Sequence, residues 1–174
     1  FAIDAGYSRM LSERFSMAVN MRFIFSDIRY DYTAESSAGK AFAADIAMYR
    51  LGYFMMGSRE CSFAWGLNIN NIGSKISYGG DDNAEFIPTN LRLGLNMTVP
   101  FNEYNKFSVA VDANKLLVPT YPKQDTENGE TDNDYTDRVQ KDYYDVSPIA
   151  GIFKSFYDAP NGFKEEMQEI QWSV

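Results

Sequence analysis

The sequence predicts an all-β protein of the antiparallel transmembrane β-barrel class. Three runs, 61–70, 90–99 and 107–114, alternate apolar and polar residues with a period of two, which is typical of strands with one apolar face. These runs come close to the roughly 9 to 11 residues that a tilted strand needs to cross a bilayer. The connections between strands alternate short and long, as the periplasmic turns and outer loops of bacterial barrels do.

The composition of the two strand faces favours a membrane barrel over its alternative, a soluble β-sandwich. The polar face carries Asn, Gly, Ser and Thr with few charges, which suits a wet lumen better than the outside of a soluble sheet. The residues predicted to face lipid are Phe63, Trp65, Leu67, Leu91, Leu93, Leu95, Val109 and Val111. The polar residues predicted to face the lumen are Asp4, Arg22, Arg50, Asn68, Arg92, Asp112 and Asn114. An ion facing lipid is far more costly, so we expect these arginines either to pair with carboxylates such as Asp4 or Asp112 or to be solvated in the lumen without a fixed partner.

Seven strands follow one another along the chain. They are predicted at residues 1–8, 15–32, 45–56, 61–70, 90–99, 107–114 and 170–174. The short turns, expected in the periplasm, are 9–14, 57–60 and 100–106, and the long outer loops are 33–44, 71–89 and 119–164.

Two of these strands have irregular patterns. After residue 25 the apolar positions change phase to 28, 30 and 32, as a β-bulge near Ser26 and Asp27 would cause. The third strand is apolar on both faces, so alternation does not determine its lipid side. Placing Arg50 in the lumen puts Tyr49, Leu51 and Tyr53 outside.

The length and the two ends of the chain indicate part of one domain. The 174 residues suffice for a single core, and both ends lie within alternating strands. A barrel wall with unpaired edges would leave backbone groups unsatisfied in lipid. We therefore expect residues 1–174 to be part of a single outer-membrane β-barrel domain that is incomplete at both termini.

Charge and composition exclude several kinds of function. A net charge of −8 argues against binding to nucleic acid, and the absence of histidine removes His-based triads and His-based metal sites. The single Cys61 lies on the apolar face and is interpreted as a small apolar residue. No catalytic residue, metal site or cofactor is predicted.

The last loop begins with a strongly acidic segment. Residues 125–145 carry eight carboxylates against Arg138 and Lys141, so we expect this segment to be disordered. A calcium site is less favoured than a solvated loop, because the spacing does not match an EF-hand.

A short amphipathic helix is predicted after that segment. Ser147 and Pro148 form a typical N-cap and first turn, and residues 158–162 end the pattern. The apolar residues follow helical spacing, so the face either folds onto the barrel mouth as a lid or is open to a partner or apolar ligand. The predicted partner-binding residues are Ile149, Ile152, Phe153, Phe156 and, beyond the helix, Phe163.

Four segments in order along the chain resemble a known family. They are WGLNINNIGSKISY at 65–78, FIPTNLRLG at 86–94, DANKLLVPT at 112–120 and FYDAPNGFKEE at 156–166. These segments resemble the PorV (LptO) family, outer-membrane barrels of the type IX secretion system of Bacteroidota. The acidic segment has no counterpart in this resemblance.

The resemblance implies a fold, a location and a set of partners. The fold would be a FadL-like barrel of about 14 strands in the bacterial outer membrane, in contact with its lipid and lipopolysaccharide. The protein would not be an enzyme. It would bind the C-terminal signal domain of secreted cargo beside the translocon barrel SprA and pass the cargo to the PorU sortase. A FadL-like transporter of hydrophobic small molecules is the alternative function.

Overall fold

Seven antiparallel strands form one sheet in which each strand pairs with the next along the chain. The computed structural model describes residues 1–27, 38–78, 84–125, 129–159 and 162–174. The strands are β1 Ala2–Ser12, β2 Phe15–Ser26, β3 Gly39–Met56, β4 Arg59–Gly73, β5 Asn90–Pro100, β6 Lys106–Leu116 and β7 Gln171–Ser173. The predicted all-β class and the seven strands are confirmed, and β1 and β7 are the edges of an open sheet.

Helices follow β6 in the last connection before β7. They are α1 Asp132–Val139, which continues as a π-helical turn over Gln140–Tyr144, α2 Pro148–Lys154 and α3 Phe163–Gln168. None of the helices in the described part of the chain is long and apolar enough to cross a membrane.

The short and long connections lie at opposite ends of the sheet, which we call the turn end and the loop end. At the turn end, β1 and β2 are separated by two residues, and β3 and β4 turn through Gly57, whose φ of 65° suits glycine. In the third turn the Asn102 side chain accepts hydrogen bonds from the backbone N–H groups of Tyr104 and Asn105. The predicted alternation of loop lengths is confirmed.

Several strands are longer than the sequence pattern predicts. β1 continues to Ser12, so most of the predicted 9–14 turn is strand, and β4 begins at Arg59 and continues to Gly73. Residues 39–44 were predicted as loop, but they belong to β3. These residues are mostly small, so their sequence pattern did not indicate a strand. In the structure they pair with β2, and a later segment of the chain packs on them. The predicted phase change at 28, 30 and 32 lies outside the described residues.

The loop-end part of β3 is covered by a segment that follows β4. Ile76 and Ile87 pack against Ala41 and Ala43, which are buried. A side chain at Gly39 would come within 2.7 Å of the Tyr78 ring, so glycine is required for this close approach. A bridge between residues 76 and 85 closes this segment, which we call the 74–89 hairpin. Small residues in β3 therefore make room for a loop that folds over the sheet.

The strand register divides the sheet into an apolar face and a polar face. Residues paired across antiparallel strands share a face, and all eight residues predicted to face lipid lie on the same one. Six of the seven predicted lumen residues lie on the opposite, polar face: Asp4, Arg22, Asn68, Arg92, Asp112 and Asn114. Which face meets lipid stays a prediction.

The prediction for Arg50 is wrong. The register pairs Arg50 with Phe15 on one side and Trp65 on the other, so all three share the apolar face. Tyr49, opposite Gly66, therefore lies on the polar face. Because β3 is apolar on both sides, only pairing with its neighbours determines its phase.

Two neighbouring positions in β6 test the assignment of the faces. Val111→Arg places a charge on the apolar face and is expected to reduce the free energy of unfolding in a bilayer by roughly 2–4 kcal/mol. Ala110→Arg, one residue earlier on the polar face, should cost less than about 1 kcal/mol. Urea titrations of both variants in lipid vesicles measure the difference, and equal costs would show that the apolar face does not meet lipid.

Candidate functional site

The predicted helix after the acidic segment is confirmed as α2. The Ser147 hydroxyl accepts the backbone N–H of Ala150 at 3.3 Å, and Pro148 begins the helix. At the other end, Lys154 lies in the last turn, where its positive charge interacts favourably with the helix dipole. Its Nζ donates to the carbonyl of Asp142 at 2.7 Å, which ties α2 to the segment before it.

The aromatic face of α2 is open. Ile149, Phe153 and Phe156 are 55%, 65% and 45% exposed, and Ile152 is half-buried. The buried side of the helix consists of Gly151 and Ser155 instead. The face is exposed within the described part of the chain, and its role in binding a partner stays a prediction. We call Ile149, Phe153, Phe156 and the 72% exposed Tyr157 the α2 face.

The side of α2 that carries Gly151 and Ser155 faces inward because it packs closely against other segments. A Cβ atom at Gly151 would lie 2.6 Å from the Phe86 ring and 3.1 Å from Pro119. Phe86 belongs to the 74–89 hairpin, so α2 rests on the segment that itself rests on β3. A helix that buries glycine and serine must present its larger apolar residues outward. The sequence pattern identified the apolar stripe but not the direction in which it points.

Aromatic rings and one lysine hold the acidic segment beside α2. The ring of Tyr143 packs edge-on against Phe86 and Tyr121 at centroid distances of 5.2 and 4.9 Å. Lys75 Nζ donates to the carbonyls of Tyr143 and Tyr144 at 3.0 and 2.8 Å, and it lies 4.1 Å from the Phe86 ring centroid. A cation at free carbonyls near a helix C-terminus is stabilising. Burial lowers the pKa of Lys75, but nearby carboxylates oppose that shift.

Glu85 joins the hairpin to the same two tyrosines. Its carboxylate accepts the hydroxyl of Tyr143 at 3.0 Å and that of Tyr144 at 3.2 Å. Burial is the main cause that raises the pKa of Tyr144 to about 12, and it raises the pKa of Tyr143 as well. Both hydroxyls therefore stay protonated at neutral pH and donate to Glu85.

The prediction that residues 125–145 are disordered is wrong for the described part of that segment. Asp132–Val139 form α1, whose N-cap Thr131 accepts the backbone N–H of Asp134. Arg138 binds both carboxylate oxygens of Glu130 at 2.7 and 2.8 Å and holds the pKa of Glu130 at about 2. Charge density predicted disorder, but a cap, a bidentate ion pair and the aromatic packing at Tyr143 order the chain.

A buried ion pair attaches α3 to the sheet. Lys115, on the apolar face of β6, binds Glu166 at 2.8 Å and Glu169 at 2.7 Å, and the Lys115 and Glu166 side chains are each 6% exposed. Glu166 also accepts the backbone N–H of Ala159. Burial alone raises the pKa of Glu166, but these bonds outweigh burial and lower it. Phe163 is the first residue of α3, and its side chain lies outside the described part.

A polar network on the polar face contains two of the predicted lumen residues. Arg22 Nε donates to Asp4 at 2.7 Å, as the sequence led us to expect, and Arg22 Nη1 donates to Asn71 at 2.6 Å. Asp45 lies 3.4 Å from Arg22 and accepts the backbone N–H of Asn71 at 2.7 Å. Asn20 donates to both carboxylates.

This network stabilises a β-bulge that the sequence analysis missed. The register slips where Asp45 faces residues 70 and 71, and Asn71 has a φ of 58°, a left-handed conformation that Asn tolerates. The Asn-Asn doublet at 70–71 was the available signal, but it was interpreted as the start of a loop.

The other predicted lumen residues form a row across three strands. Asn68, Arg92 and Asn114 lie opposite one another, and Asn114 accepts a hydrogen bond from Asn90 at 2.7 Å. Among the described residues Asn68 Oδ1 is buried without a hydrogen-bond partner. Asp112 sits against Gly94, where a Cβ would lie 2.6 Å from its carboxylate. Within the described part of the chain no carboxylate partner of Arg92 is found, so the expected pairing holds for Arg22 but not for Arg92.

Comparison with known proteins identifies a family. A family model described as type IX secretion system protein PorV matches residues 1–123, which span β1 to β6 and the 74–89 hairpin. No curated protein matches the chain. Among the residues that the structure describes, no three His, Cys, Asp or Glu side chains lie close enough together to hold a metal ion.

The ion pair of α3 is tested by removing its buried carboxylate. Glu166→Gln leaves Lys115 with Glu169 alone and is expected to destabilise the docking of α3 by about 2 kcal/mol. Hydrogen exchange at the amides of residues 163–168 measures the change. Glu169→Gln is the matched control, because Glu169 is 41% exposed and its loss should have a smaller effect. Equal protection in both variants would contradict the role of the buried pair.

The packing of α2 against the hairpin is tested by substituting Gly151. Gly151→Val is expected to displace α2 from Phe86 and Pro119, because even the first added carbon lies too close. Limited proteolysis of the connection between β6 and β7 should become faster by at least about tenfold, which corresponds to a local destabilisation of roughly 1.4 kcal/mol. Ala150→Val changes an exposed neighbour and is the control for the helix propensity of valine. Equal cleavage rates in the two variants would show that α2 is not held by this contact.

Proposed function

The chain belongs to the PorV family of type IX secretion system proteins, and on that premise we propose that it binds the C-terminal signal domain of secreted cargo at the translocon. In this proposal the seven strands are part of a larger, FadL-like outer-membrane barrel of about 14 strands that is not an enzyme. The barrel docks beside the translocon barrel SprA, contacts outer-membrane lipid and lipopolysaccharide, and passes cargo to the PorU sortase.

The observation that carries the proposal is the open α2 face. Phe153 is 65% exposed and Tyr157 is 72% exposed, although burying aromatic rings is strongly favourable. Exposed aromatic side chains on a firmly seated element are typical of the anchors that dominate protein interfaces. The long connections, including the one that carries α2, lie at the loop end, where the orientation of bacterial barrels would put them outside the cell.

The seat of α2 supports a rigid binding surface. Gly151 packs on the hairpin, Lys154 ties the helix to Asp142, and Ser147 caps its first turn. A partner that binds such a surface does not have to order it first, which reduces the entropic cost of association. Phe163 remains a predicted part of this surface.

The alternative, a FadL-like transporter of small hydrophobic molecules, receives less support. A transporter of this class needs an apolar path from the loop end along the concave side of the wall. Here the polar face carries the Arg22 network, and the hairpin residues Ile76 and Ile87 occupy its loop end.

The test of the proposal is a pair of matched aromatic variants. Replacing Phe153 and Phe156 together by Ser is expected to weaken binding of a purified C-terminal signal domain, because truncating an aromatic anchor costs about 2 kcal/mol or more. Tyr104→Ser is the control, since Tyr104 is 90% exposed but lies in a turn at the opposite end of the sheet. Binding is measured by pull-down with the full-length barrel, and folding by its heat-modifiable migration on gels. A folded double variant that binds as well as the wild type would rule out the α2 face.

A further inference from the structure

Almost all of the net charge of the protein lies in the connection that carries α2. Residues 119–169 contain twelve carboxylates and five basic residues, whereas the chain as a whole has a net charge of −8. Nearly all of that excess therefore belongs to a single connection at the loop end. The rest of the chain, residues 1–118 and 170–174, has a net charge of only −1.

Four basic residues in or beside this connection are held by internal bonds. Arg138 is paired with Glu130, and Lys115 with Glu166 and Glu169. We call α1 together with the π-helical turn and the residue after it, 132–145, the α1 segment. The ammonium groups of Lys75 and Lys154 instead bind backbone carbonyls at the end of the α1 segment. A lysine that binds a carbonyl does not neutralise any carboxylate by direct pairing.

Among the described residues, the hydrogen bonds found to the carboxylates of Asp132, Asp134 and Asp145 come from uncharged groups. Asp132 accepts from the Gln124 amide, Asp134 from Thr131, and Asp145 from the Gln140 amide. Asp137, which lies in α1, is exposed. The exposed Lys141 is the nearest basic residue in sequence that is not bound internally in the described part. The α1 segment therefore presents a surplus of negative charge.

This charge is held next to the α2 face. The bond from Lys154 to the carbonyl of Asp142 joins the end of the α1 segment directly to α2. Tyr143 and Phe86 pack between them, and Gly151 rests on the same Phe86 ring. An approaching partner therefore meets an apolar patch within the field of an acidic helix.

We propose that the surface which binds the α2 face is apolar at its centre and carries a net positive charge around it. This inference rests on the proposed function and specifies the partner of the same site. The acidic segment increases the rate of encounter with such a surface, while the aromatic residues determine how long the complex lasts. A partner with an acidic rim would be repelled by the same field.

Association kinetics at two salt concentrations test the proposal. The full-length barrel in detergent is mixed with a purified C-terminal signal domain encoded in the same genome, at 50 and 500 mM NaCl. The triple variant Asp132→Asn, Asp134→Asn and Asp137→Asn is expected to associate about tenfold more slowly at 50 mM and equally fast at 500 mM. Its dissociation rate should not change.

Two further variants, one that removes positive charge and one that removes negative charge at other positions, make the test specific for the negative field. Lys123→Gln with Lys141→Gln should accelerate association at low salt, because it increases the same negative field. Asp137→Asn with Asp145→Asn is a second neutralised variant that leaves the first turn of α1 intact, so slower association in both neutralised variants excludes a folding defect of α1 as the cause.

The outcomes separate this inference from the proposed function. If the neutralised variants associate at the wild-type rate or faster while the Phe153 and Phe156 double variant loses binding, the charge proposal is wrong and the binding surface stands. If the double variant binds as the wild type does, the α2 face itself is not the site. Slower association of the neutralised variants at low salt, together with faster association of the lysine variant, supports both.

Discussion

The packing of the 74–89 hairpin on β3 supports α2 and the end of the acidic segment at the loop end of this protein. Ile76 and Ile87 lie on Ala41 and Ala43, and that contact is possible because β3 carries small side chains on that face. The hairpin then presents Phe86 to α2, Lys75 to the end of the α1 segment and Glu85 to two tyrosines. A larger residue in β3 would remove the common support of all three contacts, because interiors at this packing density do not yield easily.

Three lysines at the loop end join the helical segments to one another and to the sheet. Lys75 and Lys154 bind carbonyls at the end of the α1 segment, and Lys115 binds two carboxylates of α3 and the turn after it. The bonds of Lys75 and Lys115 join segments more than fifty positions apart, whereas Lys154 joins α2 to a residue twelve positions earlier. Among the described residues, Asp132, Asp134 and Asp137 have no ion-pair partner, so the bonds that order this connection leave a negative field beside it.

The orientation of α2 reverses the usual arrangement of an amphipathic helix. Apolar residues normally face the interior, but here Gly151 and Ser155 do so and Phe153 points outward. The reason is steric, since only a residue without a side chain fits against Phe86 and Pro119. The exposed apolar surface is thus enforced by the packing on the other side of the helix.

The sequence by itself determined the features that depend on local periodicity and capping. The two-residue alternation gave the strands and their two faces, and Ser147 and Pro148 gave the start of α2. Only the tertiary structure decided the phase of β3, which put Arg50 beside Phe15 and Trp65, because a strand that is apolar on both sides takes its phase from its neighbours. It also decided the order of the acidic segment and the outward direction of Phe153, since these depend on contacts with Lys75 and Phe86, residues that lie more than fifty positions away in the chain.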